Sequence, residues 1–269
     1  MRFEITVDDT PISFLSAGEG PLVLLLHGTY WSRVWAPIMP AVAKHGVRAV
    51  AVDFPGAGRS GGRLTRETAT VPALATWVER FADALGAGDE LLVAGHDIGG
   101  AVAQHLAVHA RRTVPRFALV NSVTYDSWPV DGVKRFRDPA VAAAVTVEEL
   151  VEWRKRALYV AFGRMSEERE QADYLSPWHD PVKAQSWLAL AGAADSKYTR
   201  QLVQSPVPKL LVWGEDDPFQ PITYAEMFAA NEPNATLVRI PNAGHIPMEN
   251  DHRAVGDALG RFFSARSPS

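Results

Sequence analysis

Apolar runs too short to be helices recur along this chain, separated by longer stretches with helical spacing. Leu22-Val23-Leu24-Leu25-Leu26 is apolar throughout, as expected of a strand buried on both faces. Val47–Val52, Leu91–Ala94, Arg116–Val120, Lys209–Trp213 and Thr236–Ile240 predict further strands. Between them, Trp35–His45, Thr70–Leu85 and Gly99–His109 carry the periodicity of helices. Strand and helix therefore alternate from residue 22 onward, which predicts a mostly parallel sheet covered on both faces. Ahead of it, Arg2–Val7 and Ser13–Ala17 flank Asp8-Asp9-Thr10-Pro11 and predict an antiparallel edge hairpin.

One region breaks the alternation. From Trp128 to Val203 the pattern is helical, rich in Ala, Glu, Arg and Trp, with breaks at Pro139, Gly163, Pro177 and Pro181. It predicts a helical cap, residues 128–203, inserted into a body formed by 1–127 and 204–269. Such an insertion stands near the carboxyl ends of the strands, where open α/β folds bind ligands.

Composition narrows the chemistry. The chain has 269 residues, 47% of them hydrophobic and 22% charged, enough for one sizeable core. A net charge of −4 leaves no basic footprint for nucleic acid and no polybasic membrane patch. The absence of cysteine removes disulfides, thiolate catalysis and Cys-ligated zinc. The start Met1-Arg2-Phe3-Glu4-Ile5 is not a charged-then-apolar leader, and no apolar run approaches the length of a membrane span, so a cytoplasmic location is expected. A short Ser/Pro/Arg tail at 264–269 is the one low-complexity segment, and a homo-oligomer is compatible with the sequence.

The stretch that concentrates chemistry is Leu91-Leu92-Val93-Ala94-Gly95-His96-Asp97-Ile98-Gly99-Gly100-Ala101. A buried strand meets Gly-x-Asp-x-Gly and a helix follows at once, the pattern of a nucleophile elbow with Asp97 at its apex. Where serine stands at that apex, the chemistry is acyl transfer. A carboxylate attacking an acyl group gives an anhydride, whereas attack on saturated carbon gives an ester that water can open. Asp97 thus points to an epoxide or a carbon–halogen bond, and it is ionised at neutral pH without a base.

Downstream partners fall in place by chain order. Leu210-Leu211-Val212-Trp213 ends in Gly214-Glu215-Asp216-Asp217, and the next strand ends in Asn242-Ala243-Gly244-His245. Nucleophile, acid and histidine follow one another, so His245 is expected to activate water against the Asp97 ester, with Asp217 orienting its ring. Asp216 and Glu215 read as turn caps or solvated charges. The backbone N–H groups of Thr29, after His27-Gly28, and Ile98 are the candidate oxyanion donors. His105 and His109 lie one helical turn apart but lack the Glu of a zincin motif, so no metal is expected. The glycines of Asp53–Ser60 match neither a P-loop nor a dinucleotide fingerprint, and no organic cofactor is implied.

Residues 20–261 resemble the α/β-hydrolase superfamily, in particular its Asp-nucleophile branch of epoxide hydrolases and haloalkane dehalogenases. The matching pieces are His27-Gly28, Asp53-x-Pro55-Gly56-x-Gly58-x-Ser60, Gly95-His96-Asp97-x-Gly99-Gly100, Gly214-x-x-Asp217 and Gly244-His245. Ile98 stands where haloalkane dehalogenases usually carry Trp, Thr29 where many carry Asn, and Tyr30 where epoxide hydrolases usually carry Pro. The resemblance implies a covalent aspartyl-ester route on a small apolar substrate with water as the second reactant. An epoxide hydrolase is the favoured reading and a haloalkane dehalogenase the alternative. A hydrolase fold that merely binds a small ligand is a third, against which His245 with Asp217 argues, because a binder needs no water-activating pair. An esterase using Asp97 as base is a fourth.

An epoxide hydrolase also needs a proton donor for the ring oxygen. Tyr198, within Asp195-Ser196-Lys197-Tyr198-Thr199, resembles the placement of one ring-opening Tyr, and Tyr159 is the second candidate. For a halide, or as walls of the substrate site, the candidates are Trp31, Trp153 and Trp178.

Overall fold

In the computed structural model of the chain, residues 1–164, 167–202 and 205–265 are described. The predicted body–cap boundary at 203/204 and most of the tail, 266–269, lie outside the described residues. Eight strands form one sheet: β1 (Arg2–Val7), β2 (Thr10–Ala17), β3 (Leu22–Leu26), β4 (Arg48–Val52), β5 (Leu92–Asp97), β6 (Phe117–Ser122), β7 (Lys209–Gly214) and β8 (Ala235–Ile240). Their spatial order is β1-β2-β4-β3-β5-β6-β7-β8. The β1–β2 and β2–β4 pairs are antiparallel and the rest parallel, so the fold is the α/β-hydrolase fold.

The run of five apolar residues in β3 pairs with β4 on one side and β5 on the other, Leu26 lying opposite both Val52 and Gly95. Every residue of β5, β6 and β7 is buried, because helices cover both faces. The chain leaves β3 toward β4 and later places β5 on the opposite flank. That reversal makes the carboxyl ends of β3 and β5 a switch point, where two loops diverge and leave a crevice.

The expected helix at Trp35–His45 is instead two short pieces, Ser32–Trp35 and Met39–Ala43. Pro37 and Pro40 remove backbone donors there, which breaks a continuous helix. The helices Val71–Ala84 and Ile98–His109 agree with the expected ones to within a residue or two.

Between β6 and β7 the described residues form helices and no strand. Local sequence sets their ends. Thr146 and Glu149 make a reciprocal capping box at the start of Val147–Ala161. Asp180 caps Pro181–Ala193, with Pro181 at the first helical position, where a missing N–H costs nothing. The insertion is tied to the body by Arg66, which donates to the carbonyls of Phe136, Arg137 and Gly192, and by Arg33, paired with Asp173 at 2.6 Å and with Glu249 at 2.7 Å. Among the described residues no helix is long and apolar enough to cross a membrane.

Candidate active site

Asp97 stands between β5 and the helix Ile98–His109 with φ 54° and ψ −125°, a conformation costly for a residue with a side chain. Glycine at two neighbouring positions allows the turn. A methyl group on Gly95 would lie 2.1 Å from the Gly99 carbonyl oxygen, and one on Gly100 would lie 1.8 Å from Ser122 Oγ. The strain is held by the sheet around it, for β5 and β6 lose register between His96 and Asp97, and the Asp97 carbonyl accepts from Val123 N–H at 3.2 Å.

The carboxylate is almost wholly buried, and its Oδ2 is taken by one residue. Thr29 donates to it both from its N–H, at 2.9 Å, and from its hydroxyl, at 2.7 Å. Oδ1 accepts no hydrogen bond among the described residues, and Asp97 lines a cavity of about 780 Å³. Ile98 opens the helix, fully buried, with its N–H close by. A methyl group on Gly28 would sit 2.5 Å from Ile98 N and 2.7 Å from Asp97 Cγ, so the oxyanion loop, the elbow and the start of the helix close around the carboxylate, which Thr29, of the two candidate donors, engages directly.

His245 follows β8 and its Nδ1 donates to Asp217 Oδ2 at 2.8 Å, while its Nε2 lies 4.0 Å from Asp97 Oδ2. Asp217 is fixed in turn: Oδ1 accepts from the N–H groups of Phe219 and Gln220, and Oδ2 from Asn121 Nδ2 at 2.7 Å. Asp216 points to solvent and Glu215 pairs with Arg239 across 3.5 Å, as expected of residues outside the site. The backbone of His245 is held by His96, whose Nε2 donates to the His245 carbonyl at 2.8 Å. Burial, reinforced by the charge of His245, lowers His96 to about 4, so its ring is neutral and fit for that role.

The electrostatics of the triad follow from charge balance. Burial works against both ions, raising Asp97 and lowering His245. The opposite charges outweigh it: Asp217, then Asp97, raise His245, and His245 with Thr29 keeps Asp97 below the ordinary carboxylate range. The two carboxylates that flank the ring thus favour its protonated form in the resting site.

His27 organises the loop opposite. Its Nε2 accepts from Phe54 N–H at 3.0 Å, so Nδ1 carries the proton and donates to the Gly28 carbonyl at 2.9 Å. The Asp53–Ser60 loop is braced by buried Asp53, which accepts from Ser32 N–H, Arg59 N–H and Arg2.

The helical insertion supplies the other wall. Arg154, 3% exposed, donates from Nη2 to the Thr29 carbonyl at 3.0 Å, and Trp187 Nε1 donates to the same oxygen at 2.9 Å. Thr29 is thus gripped from both sides, by Asp97 and by the insertion. Tyr30, Trp153, Ala157, Val160 and Phe219 line the cavity beside Asp97 and His245.

The remaining candidates are dispersed. Trp153 lines the cavity and Trp178 packs behind Tyr30, ring centroids 6.2 Å apart. Trp31 is not on the cavity wall; it donates to the Tyr174 carbonyl and lies between Arg2 and Arg59. Tyr198 packs edge-on against His105 on the helix after the elbow, away from the cavity, and Tyr159 is half exposed. No cluster of His, Asp or Glu among the described residues is placed to hold a metal.

Sequence reasoning missed Asn121, Tyr30, Arg154 and Trp128, the last buried with Nε1 unpartnered among the described residues and on the cavity wall. For Arg154 a signal exists. On its helix Leu150, Val151, Leu158 and Ala161 are buried, and Arg154 falls on that stripe while Lys155 and Arg156 do not.

Comparison with known proteins follows the same outline. The sequence model of the alpha/beta hydrolase family matches residues 23–258. Similar proteins include a haloalkane dehalogenase of Mesorhizobium japonicum, 28% identical over 99% of this chain and 91% of the relative. A 2-hydroxy-6-oxo-6-phenylhexa-2,4-dienoate hydrolase of Burkholderia cepacia is 25% identical over 85% of this chain and 82% of its own. Haloalkane dehalogenase DbeA from Bradyrhizobium elkani superposes with a TM-score of 0.84 over 98% of this chain and 97% of that structure; at 24% identity the likeness is one of fold.

Proposed function

The chain belongs to the alpha/beta hydrolase family, and from that premise we propose that it cleaves a bond at saturated carbon through a covalent ester on Asp97. The observation that carries this reading is the arrangement of Asp97: Oδ2 engaged by both Thr29 donors, Oδ1 open, and a His245–Asp217 pair next to it. An Asp held ionised needs no base to attack, and a donor pair already on Oδ2 is placed for the charge that develops there when water opens the ester.

In the first half-reaction Asp97 Oδ1 bonds to the carbon and the leaving group departs with its electron pair. Esterification removes one of the two negative charges that hold the proton on His245, so its pKa falls, the ring releases that proton to solvent and it becomes a base. In the second half-reaction His245 takes a proton from water, which adds to the Asp97 carboxyl carbon; the tetrahedral oxyanion rests on Thr29 and Ile98 N–H.

The leaving group decides the finer reading. An epoxide oxygen leaves as an alkoxide that must be protonated, and Tyr30 is a phenol on the cavity wall next to the oxyanion loop. Burial raises it to about 12 despite Arg154, still acidic enough to protonate an alkoxide. This supports an epoxide hydrolase yielding a vicinal diol, with Tyr30 rather than Tyr198 or Tyr159 as donor. The similarity to haloalkane dehalogenases and the spare Trp128 indole N–H favour halide release as a second reading. The insertion then serves as a cap that excludes water.

Reaction of the His245→Ala variant with a mixed panel of epoxides and haloalkanes, followed by intact mass, separates them. An adduct of the whole epoxide on Asp97 supports the first reading, and an alkyl adduct with released halide the second. No adduct from either class would overturn both.

A further inference from the structure

Arg154 is a buried cation that no carboxylate answers. Among the described residues no Asp or Glu oxygen lies within 4.0 Å of its guanidinium, and its Nε is buried without an acceptor. Lys209, another buried cation, shows the ordinary solution: its Nζ donates to the carbonyls of Ser205, Val207 and Pro233. Arg33 shows the other, pairing with Asp173 and Glu249. Arg154 has five N–H donors, and among the described residues its acceptors are the neutral Thr29 carbonyl, which Trp187 already serves, and the neutral Tyr30 hydroxyl.

The surroundings hold the guanidinium without neutralising it. Its carbon lies 4.4 Å from the Tyr30 ring centroid, 4.6 Å from that of Trp178 and 5.0 Å from that of Trp187. This cage fixes a planar, permanently charged fork on the wall of the cavity that holds Asp97 and His245. A cation kept dry and under-bonded at a reaction site is matched by an anion that arrives with the substrate.

We propose that Arg154 binds a substrate carboxylate carried next to the reacting carbon, so that the substrates are short 2,3-epoxy acids or 2-halo acids. The proposal rests on attack by Asp97 at saturated carbon. It also resolves a conflict of charge, because an anionic nucleophile repels an anionic substrate unless a cation stands beside both. The step balances: the Asp97 oxygen–carbon bond forms as the carbon–halogen bond breaks to release halide, or as the carbon–oxygen bond breaks and the ring oxygen takes a proton from Tyr30. Water then regenerates Asp97 and gives a 2-hydroxy acid from the halo acid or a 2,3-dihydroxy acid from the epoxy acid. The apolar substrate expected from sequence is replaced by one with an anionic end.

The test uses isosteric pairs on the intact protein: 2-bromopropanoate against 2-bromopropanamide, and trans-2,3-epoxybutanoate against its amide. The wild type should favour the acid of the reacting pair in kcat/KM by about 10- to 100-fold, the worth of hydrogen bonds to a charged group. Arg154→Met should erase that ratio. Should that variant fail to fold, inhibition of the wild type decides: butanoate should compete and butanamide should not. A ratio near one in the wild type, an unchanged ratio in Arg154→Met, or equal inhibition by both would overturn the proposal. Amide adducts trapped by His245→Ala with no preference for acids would sink Arg154's role and leave the displacement chemistry standing. The lack of any adduct would sink the displacement reading, and the substrate assignment with it.

Discussion

One wall of the cavity is sheet and the other is helix, and they present their polar groups by different means. On the sheet side Asp97, Asp217, His245 and Thr29 all follow the carboxyl ends of strands, so backbone pairing places them and short side chains finish the job. On the helical side Arg154, Trp153 and Trp187 reach inward from two helices on long side chains that hold one another. Under the proposed mechanism the sheet wall supplies the bond chemistry and the helical wall selects what is brought to it. The two meet at Thr29, whose N–H and hydroxyl serve Asp97 and whose carbonyl serves the insertion.

Substitutions on the two walls should therefore fail differently. The largest effect belongs to Asp97→Asn, which should lower kcat by about ten-thousandfold or more with the fold intact by thermal melting. Retained turnover would place the nucleophile elsewhere.

Next comes Asn121→Gly, which keeps the backbone's φ of 40° and removes the bond to Asp217. Ester hydrolysis should slow by about 10- to 100-fold, while the burst of ester formation in stopped-flow stays as it was. A slowed burst would mean that Asn121 acts on the first half-reaction.

The pH profiles should divide along the same line. Asp97 is held below the ordinary carboxylate range, so ester formation should be flat between about pH 5 and 9. Ester hydrolysis needs neutral His245, so its rate should rise with pH and level off below the pH at which the resting imidazolium titrates, because the ester no longer holds that proton. A hydrolysis step that speeds up on acidification would contradict the role of His245.

On the helical wall, Trp187→Phe removes one N–H from the Thr29 carbonyl and should cost about fivefold in kcat/KM, the worth of a neutral hydrogen bond. The smallest effects belong to Tyr159→Phe and Tyr198→Phe, which should stay within about twofold of the wild type, because neither residue lines the cavity. A large loss in either would bring a cap tyrosine back as the proton donor.

The same division explains what was legible in the sequence. Gly95-x-Asp97-x-Gly99 requires glycines because strand and helix come within contact distance, so the turn is written in residue identity. Asp217 and His245 each follow a buried apolar run, and chain order with strand ends was enough to pair them. Asn121 escaped because an Asn at the end of β6 has no local signature; its partner lies 96 residues away. The tyrosines were misplaced for a similar reason. A residue on an inserted helix points wherever the packing of that insertion turns it, and neither Tyr159 nor Tyr198 faces the cavity wall, whereas Tyr30 on the loop after β3 does. Arg154 was legible in part, through an arginine on an otherwise apolar stripe, yet the cage around it draws on rings from three separate segments.

The central claim is that water attacks the carboxyl carbon of Asp97 and not the substrate. A single turnover with enzyme in excess over a reactive epoxide or 2-halo acid, run in ¹⁸O-water, tests it directly. The account predicts a first-turnover product that carries unlabelled oxygen, with the label found in the peptide containing Asp97. Label in that first product, with Asp97 unlabelled, would mean that water attacks the substrate carbon itself and would contradict the covalent route.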